Sequence, residues 1–137
     1  MKFTVPAIFM VTWALHAIAA GLHDGDIVDR ILVHPKTGQA LLVMSVDLPL
    51  TDETNEQKLS HKLGTYTAFV ESGQLHAKYP QAKPDVPVLL SFVFEQRPPA
   101  NVMPRLRAMK ERLVARGYEI QLKVYEDKLN KVVDFEP

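Results

Sequence analysis

Cysteine is absent from the 137 residues, which excludes disulfides, thiolate metal sites and cysteine nucleophiles together. Net charge is absent as well, because 16 basic side chains balance 16 acidic ones. The total therefore favours neither nucleic acid nor an anionic membrane surface. No period of about 20 to 50 residues recurs, which sets solenoids aside. Also missing are G-x-G-x-x-G, a Walker loop and G-x-S-x-G, the patterns that cradle nucleotide phosphates or raise a nucleophilic serine.

What is present is ordinary globular composition, 47% apolar and 23% charged, too apolar for a disordered chain. The length is that of one domain with one core. Charge is uneven along the chain. Residues 24–56 carry seven acids against Arg30 and Lys36, a balance of −5, and residues 97–128 carry eight bases against four acids, or +4.

The first twenty residues, MKFTVPAIFMVTWALHAIAA, place Lys2 ahead of an apolar run that ends in small residues. That is the layout of an export signal with an A-x-A site at Ala17-Ile18-Ala19, and the run is short for a membrane span. A buried core helix, or an upstream extension from a mis-assigned start, is the competing reading. The domain proper is expected over 21–137. With the signal it would be periplasmic or secreted and, once the signal is removed, free of the membrane; without it, cytoplasmic.

From there the elements alternate. Ile27 to Val33 and Ala40 to Val46 are β-branched and aliphatic runs around HPKTG, in which Pro35 presets a turn and Gly38 takes positive φ, so the pair reads as a hairpin. Asp52 or Thr54 offers an N-cap, with Thr54-x-x-Gln57 as a capping box. Leu59, Leu63, Tyr66 and Val70 then fall on one helix face, and Gly73 stops it. A loop with Pro80, Pro84 and Pro87 leads into the strand VLLSFVFE. A second helix starts near Pro99 and Pro104, carries Val102, Leu106, Met109 and Leu113 on one stripe, and ends at Gly117. Tyr118 to Tyr125 alternates strictly, as a strand with one wet face does.

The order β-β-α-β-α-β predicts an α/β (α+β) two-layer sandwich: a four-stranded sheet with two helices on one face, and a polar tail on which Val132, Val133 and Phe135 dock. If Val88, Leu90, Phe92 and Phe94 face the helices, then Leu89, Ser91 and Val93 face away, together with Val28, Arg30 and Leu32. Glu119, Gln121 and Lys123 share that far side. A half-apolar sheet face of this kind marks a dimer or partner surface, with scattered exposed aliphatics as the plainer account.

Chemistry is sparse. His23, Asp24, Asp26 and Asp29 are the nearest thing to a metal cluster, but they lack the closing ligands of a calcium loop, and the other histidines stand singly. Ser60 and His61 are adjacent on a helix, about 100° apart, and so do not face each other. The second helix carries Arg105, Arg107, Lys110, Arg112 and Arg116 against Glu111, a face suited to an acidic protein or to solvent; RNA is disfavoured because no aromatics interleave.

The segments VDRILVHPKTGQALLVM and YTAFVESGQLHAKYPQAK resemble a small bacterial domain family of unknown function. Its pattern is a VD hairpin with a PKTG turn, a helix ending in an ESGQL-like run and then YP, a strand followed by PP, and a last helix ending in Gly and an aromatic. Val28-Asp29, Pro35 to Gly38, Phe69 to Leu75, Tyr79-Pro80, Phe94, Pro98-Pro99 and Gly117-Tyr118 fill those places. The resemblance covers about residues 26–125 and implies the same sheet-and-two-helix fold, with no catalytic residues. The signal-like segment and the loop LPLTDETNEQ depart from the pattern.

The expectation is a non-enzymatic binding module, immunity-type or accessory, without cofactor or metal. It would recognise a protein partner or a second copy through Arg105, Arg112, Arg116, Leu89 and Val93. The alternative is a small-ligand binder or enzyme built on the loop of His34, His76, Lys78 and Tyr79.

Overall fold

The computed structural model describes residues 21–126 and 128–137; the expected signal segment lies outside them. The elements are β1 (Arg30–Val33), β2 (Ala40–Val46), α1 (Glu53–Glu71), α2 (Gln74–Lys78), β3 (Leu89–Phe94), α3 (Met103–Ala115), β4 (Glu119–Glu126) and β5 (Lys131–Asp134). They form one five-stranded sheet in the order β1-β2-β3-β4-β5. Here β2, β3 and β4 run parallel, and β1 and β5 pair antiparallel at the two edges.

The mixed α/β class is the expected one, but the strand count is five rather than four. The tail does more than dock. Its residues Lys131 to Asp134 pair with Glu126 to Lys123, and Phe135 sits edge-on to Phe94, with ring centroids 5.5 Å apart at 73°. Four residues with two valines give little strand signal alone; the partner strand supplies the ladder.

Two connections join parallel neighbours, β2-α1-β3 and β3-α3-β4. Right-handed crossovers that step the same way across a sheet lay both helices on one face. The register then sorts the side chains. Leu42, Leu90 and Ile120 lie abreast, as do Met44, Phe92 and Leu122, and Val46, Phe94 and Val124. These rows meet Leu59 and Tyr66 of α1 and Leu106, Met109 and Leu113 of α3 in one core. Each fully buried aliphatic or aromatic side chain there stabilises by about 1.5–3 kcal/mol.

Helix boundaries follow local chemistry. Asp52 caps α1, its Oδ1 accepting from Asn55 N–H at 2.8 Å, which decides between the two expected caps. Thr54 lies inside the helix instead, so the capping box does not form there. Gly73 takes φ +89°, a left-handed conformation that costs glycine little. It ends α1 and opens the single turn of α2, in a stretch where a loop is expected from the sequence. Strand β1 is shorter than the expected run from Ile27, because residues 21–29 form turns that precede it.

On the face turned away from the helices, Leu41, Val43 and Ser45 lie abreast of Leu89, Ser91 and Val93, and these of Glu119, Gln121 and Lys123. Its centre is not exposed: Val43, Leu89 and Ser91 are buried, and Val93 is half-buried.

Candidate functional site

Residues 21–29 have no ladder or helix to satisfy their backbone, so side chains do it. Tyr66 of α1 reaches between the layers, accepting from Asp29 N–H at 2.8 Å and donating to Val43 O at 2.6 Å. Thr65 donates to Gly25 O at 2.5 Å, and Asp47 accepts from Leu22 N–H at 2.9 Å. Lys62, one turn before Tyr66, donates to Gly21 O and to Asp29 Oδ1. The other oxygen of Asp29 accepts from Ser45 N–H at 2.9 Å.

The Lys62–Asp29 pair is buried, and each charge is met by hydrogen bonds besides the ion pair, the condition under which buried charges are tolerated. Burial pushes the Asp29 carboxyl above the usual carboxylate range, against the pull of Lys62, Ser45 N–H and Tyr66. Burial also drives the Tyr66 phenol well above its ordinary value, with the Asp29 charge adding to it. The cluster thus ties the segment ahead of β1 to both α1 and β2.

That tie shapes a groove. Held against α1, residues 26–28 form one wall and β1 contributes Ile31; Thr65, Ala68 and Phe69 of α1 and Gln74, Lys78 and Tyr79 complete a hollow of about 610 Å³. Its lining is mixed: Ile27, Val28, Ile31, Ala68 and Phe69 are apolar, and Asp26, Thr65, Gln74, Lys78 and Tyr79 bring polar groups. Ile27 is about half exposed there. Asp26 is already engaged, 2.9 Å from His61 Nε2.

One side of the groove is a strand edge. Among the described residues nothing pairs with β1 on the side away from β2. The pairs Arg30↔Val43, Ile31↔Leu42, Leu32↔Leu41 and Val33↔Ala40 continue into a bonded His34–Gln39 step, with N···O 2.9 Å. Bonded and non-bonded pairs alternate in an antiparallel ladder. Arg30 and Leu32 therefore bond to β2, and the N–H and C=O groups of Ile31 and Val33 point along the free edge.

The sequence-predicted residues are dispersed. Arg105 forks onto Glu56 at 2.7 and 2.8 Å, and Arg116 bonds Glu71 at 2.5 Å while lying over the Tyr118 ring. Lys110 reaches Glu136 at 2.9 Å. Much of the basic face of α3 is thus matched by acids of α1 and the tail; Arg112 is exposed. Leu89 and Val93 lie on the far sheet face described above. His34 is buried, its Nδ1 accepting from Lys36 and Thr37 N–H at 3.1 and 3.3 Å, and so closes its own turn. His76 Nδ1 lies 3.1 Å from Ala82 O and lines a second hollow with Pro84, Val88 and Tyr118. Tyr79 and Lys78 line the groove beside β1. The three named residues His34, His76 and Tyr79 therefore occupy separate settings. Among the described residues, no group of His and acidic side chains is arranged to hold a metal.

Sequence reasoning missed Lys62 and the groove. Lys62 falls three residues after Leu59 and four before Tyr66, on the buried stripe itself. A lysine there calls for an acid elsewhere, and Asp29 is that acid. Val28, Phe69, Gln74 and Tyr79 come from the segments that carry the family resemblance, and all four line the groove.

Residues 21–135 match a family described as a family of unknown function, DUF6572. The chain belongs to that family. No curated protein and no solved structure matches it. The matched span begins where the Lys62 contact to Gly21 begins and ends at Phe135, the aromatic that closes β5 against the sheet.

Proposed function

We propose that this DUF6572 domain is a protein-binding module, of the immunity-type or accessory kind, that takes an extended segment of a partner along β1. The observation that carries this reading is the coincidence of two features. The edge of β1, unpaired among the described residues, offers the main-chain groups of Ile31 and Val33, and a hollow of mixed polarity containing Phe69 and Tyr79 lies directly beside it. Strand addition uses such a pair: main-chain bonds supply affinity, and a pocket for alternate side chains supplies selectivity.

The test is a photo-crosslinking amino acid at position 78, with position 111 on α3 as control. Irradiation in host cells is expected to give one discrete adduct at 78, lost when Phe69→Asp fills the hollow with charge, and mapping to an extended segment of the captured chain. Equal labelling at 78 and 111, or labelling indifferent to Phe69→Asp, overturns the reading.

A further inference from the structure

The edge of β1 at Ile31 and Val33, unpaired among the described residues, is self-complementary, and we infer that its occupant is β1 of a second copy of this chain. The inference rests on the reading of that edge as an interaction surface and names the partner.

The argument starts from the register. Ile31 and Val33 present their N–H and C=O groups outward, and Leu32 does not. When two copies of β1 meet antiparallel about a two-fold axis through Leu32, Ile31 of one stands opposite Val33 of the other, and the reverse. Both pairs are then bonded pairs, each exchanging two hydrogen bonds, so every outward group of the two residues is satisfied. A closed two-fold contact of this sort is the commonest symmetry of homo-oligomers.

The side chains agree with that register. Ile31 and Val33 lie in the rows of Leu42 and Ala40, on the helix side of the sheet. Val33 of the second copy would thus stand beside Ile31 at the mouth of the groove, where Phe69 supplies an apolar patch of its mixed lining.

Charge agrees as well. Antiparallel pairing brings the residues before β1 in one copy next to the turn after β1 in the other. The first carries Asp24 and Asp26, and the second carries exposed Lys36. Opposite signs therefore meet at both ends of the pair. Pro35 falls opposite Asp29, whose N–H is already bonded to Tyr66, so the ladder closes where neither residue has an N–H to offer.

The absence of cysteine from the chain allows a direct test on the full protein. Leu32 would form a non-bonded pair with Leu32 of the second copy, at a Cα separation of about 4.5 Å. That separation is within disulfide reach. Leu32→Cys under mild oxidation is expected to give a covalent dimer at least about tenfold faster than Gln121→Cys, an exposed site on β4, because a docked pair raises the local thiol concentration. Sedimentation of the parent chain should show a dimer whose fraction rises with concentration. Lys36→Glu should weaken it several-fold, and Asp26→Lys combined with Lys36→Glu should restore it. A parent chain that stays monomeric over the whole range, with equal oxidation rates at 32 and 121, overturns the inference. In that case a photo-adduct at position 78 with a different protein still upholds strand addition; where the parent chain does dimerise, an adduct of twice the chain mass upholds both readings. Absence of either adduct sinks both.

Discussion

The ammonium of Lys62 and the carboxylate of Asp29 are paired inside the protein, with side-chain exposures of 0% and 2%. A pair this dry gains little net stability over a well-packed apolar pair, but removing one member strands the other. Lys62 joins α1 to the segment ahead of β1, so the pair governs where one wall of the groove stands.

Lys62→Met should therefore destabilise the fold by about 3–5 kcal/mol, the cost of breaking a buried pair, read as a lower urea midpoint at unchanged slope. Adding Asp29→Asn, which removes the charge but keeps an oxygen for Ser45 N–H, should recover part of the loss. The sign with pH follows from Asp29. Its folded value is raised, so the folded protein binds a proton where the unfolded chain does not, and charging the carboxylate costs stability as pH rises through the folded value. Without Lys62 that cost grows. The gap between variant and parent should narrow as pH falls into the carboxylate range, and a pH-independent gap would show that packing, not charge, sets the loss.

Tyr66→Phe removes one hydroxyl, which leaves the Asp29 N–H without a partner and takes from Val43 C=O the bond it accepts besides its ladder bond to β1. An orphaned buried donor costs about 1–3 kcal/mol. The variant should lose that order of stability with no change in core volume, and amide exchange at Asp29 should accelerate ahead of global unfolding. Protection unchanged at Asp29 would mean another group takes over.

Much of this fold was legible because helices and strands here obey their own periods. Val102, Leu106, Met109 and Leu113 are all buried or at the core boundary as their spacing demands, and Gly117 ends the helix at φ +98°. The fifth strand was not legible, because Lys131 to Asp134 is polar and short and becomes a strand only through β4. Nor was the groove. Its walls come from residues 26–31 and 65–79, brought together by Lys62, Tyr66 and Thr65, and no local pattern encodes that approach. The Arg105 and Arg116 face reads as a basic patch in one dimension, because Glu56 and Glu71 that answer it lie more than 40 residues away.

Glu71 tests the far end of α1. The Tyr118 hydroxyl, at 2.8 Å, and then Arg116 hold its carboxyl below the ordinary glutamate range. The unfolded chain therefore binds the proton more readily, so this contribution is present above the ordinary glutamate value and is lost as pH falls through the folded one. A carboxyl titration by NMR should place Glu71 below a free glutamate. Tyr118→Phe should raise its midpoint more than any exposed substitution does, and an unmoved midpoint would refute the assignment.

The Arg105–Glu56 fork should matter little despite good geometry. Both side chains reach solvent, and exposed pairs are screened and contribute little. A double-mutant cycle with Arg105→Ala and Glu56→Ala should return a small coupling that fades with added salt. A large coupling that resists salt would mean that the fork locks α1 to α3.

Phe135 decides whether β5 belongs to the fold or merely lies on it. The ring packs edge-on against Phe94, and Arg97 stands over it at 5.5 Å. The backbone N–H of Phe135 bonds Leu122 O at 2.9 Å, which carries the ladder past Asp134. Truncating a buried phenylalanine to alanine costs about 3–5 kcal/mol, by lost transfer energy and by the cavity left behind. Leu129 lies on the turn into the same strand but is 58% exposed, and Leu129→Ala should change stability by no more than about 0.5 kcal/mol. If both substitutions prove equally mild, β5 frays in solution and the sheet is effectively four-stranded. If Phe135→Ala lowers global stability in the predicted range, Phe135 and the strand it closes belong to the cooperative unit that holds β1 and its groove in place.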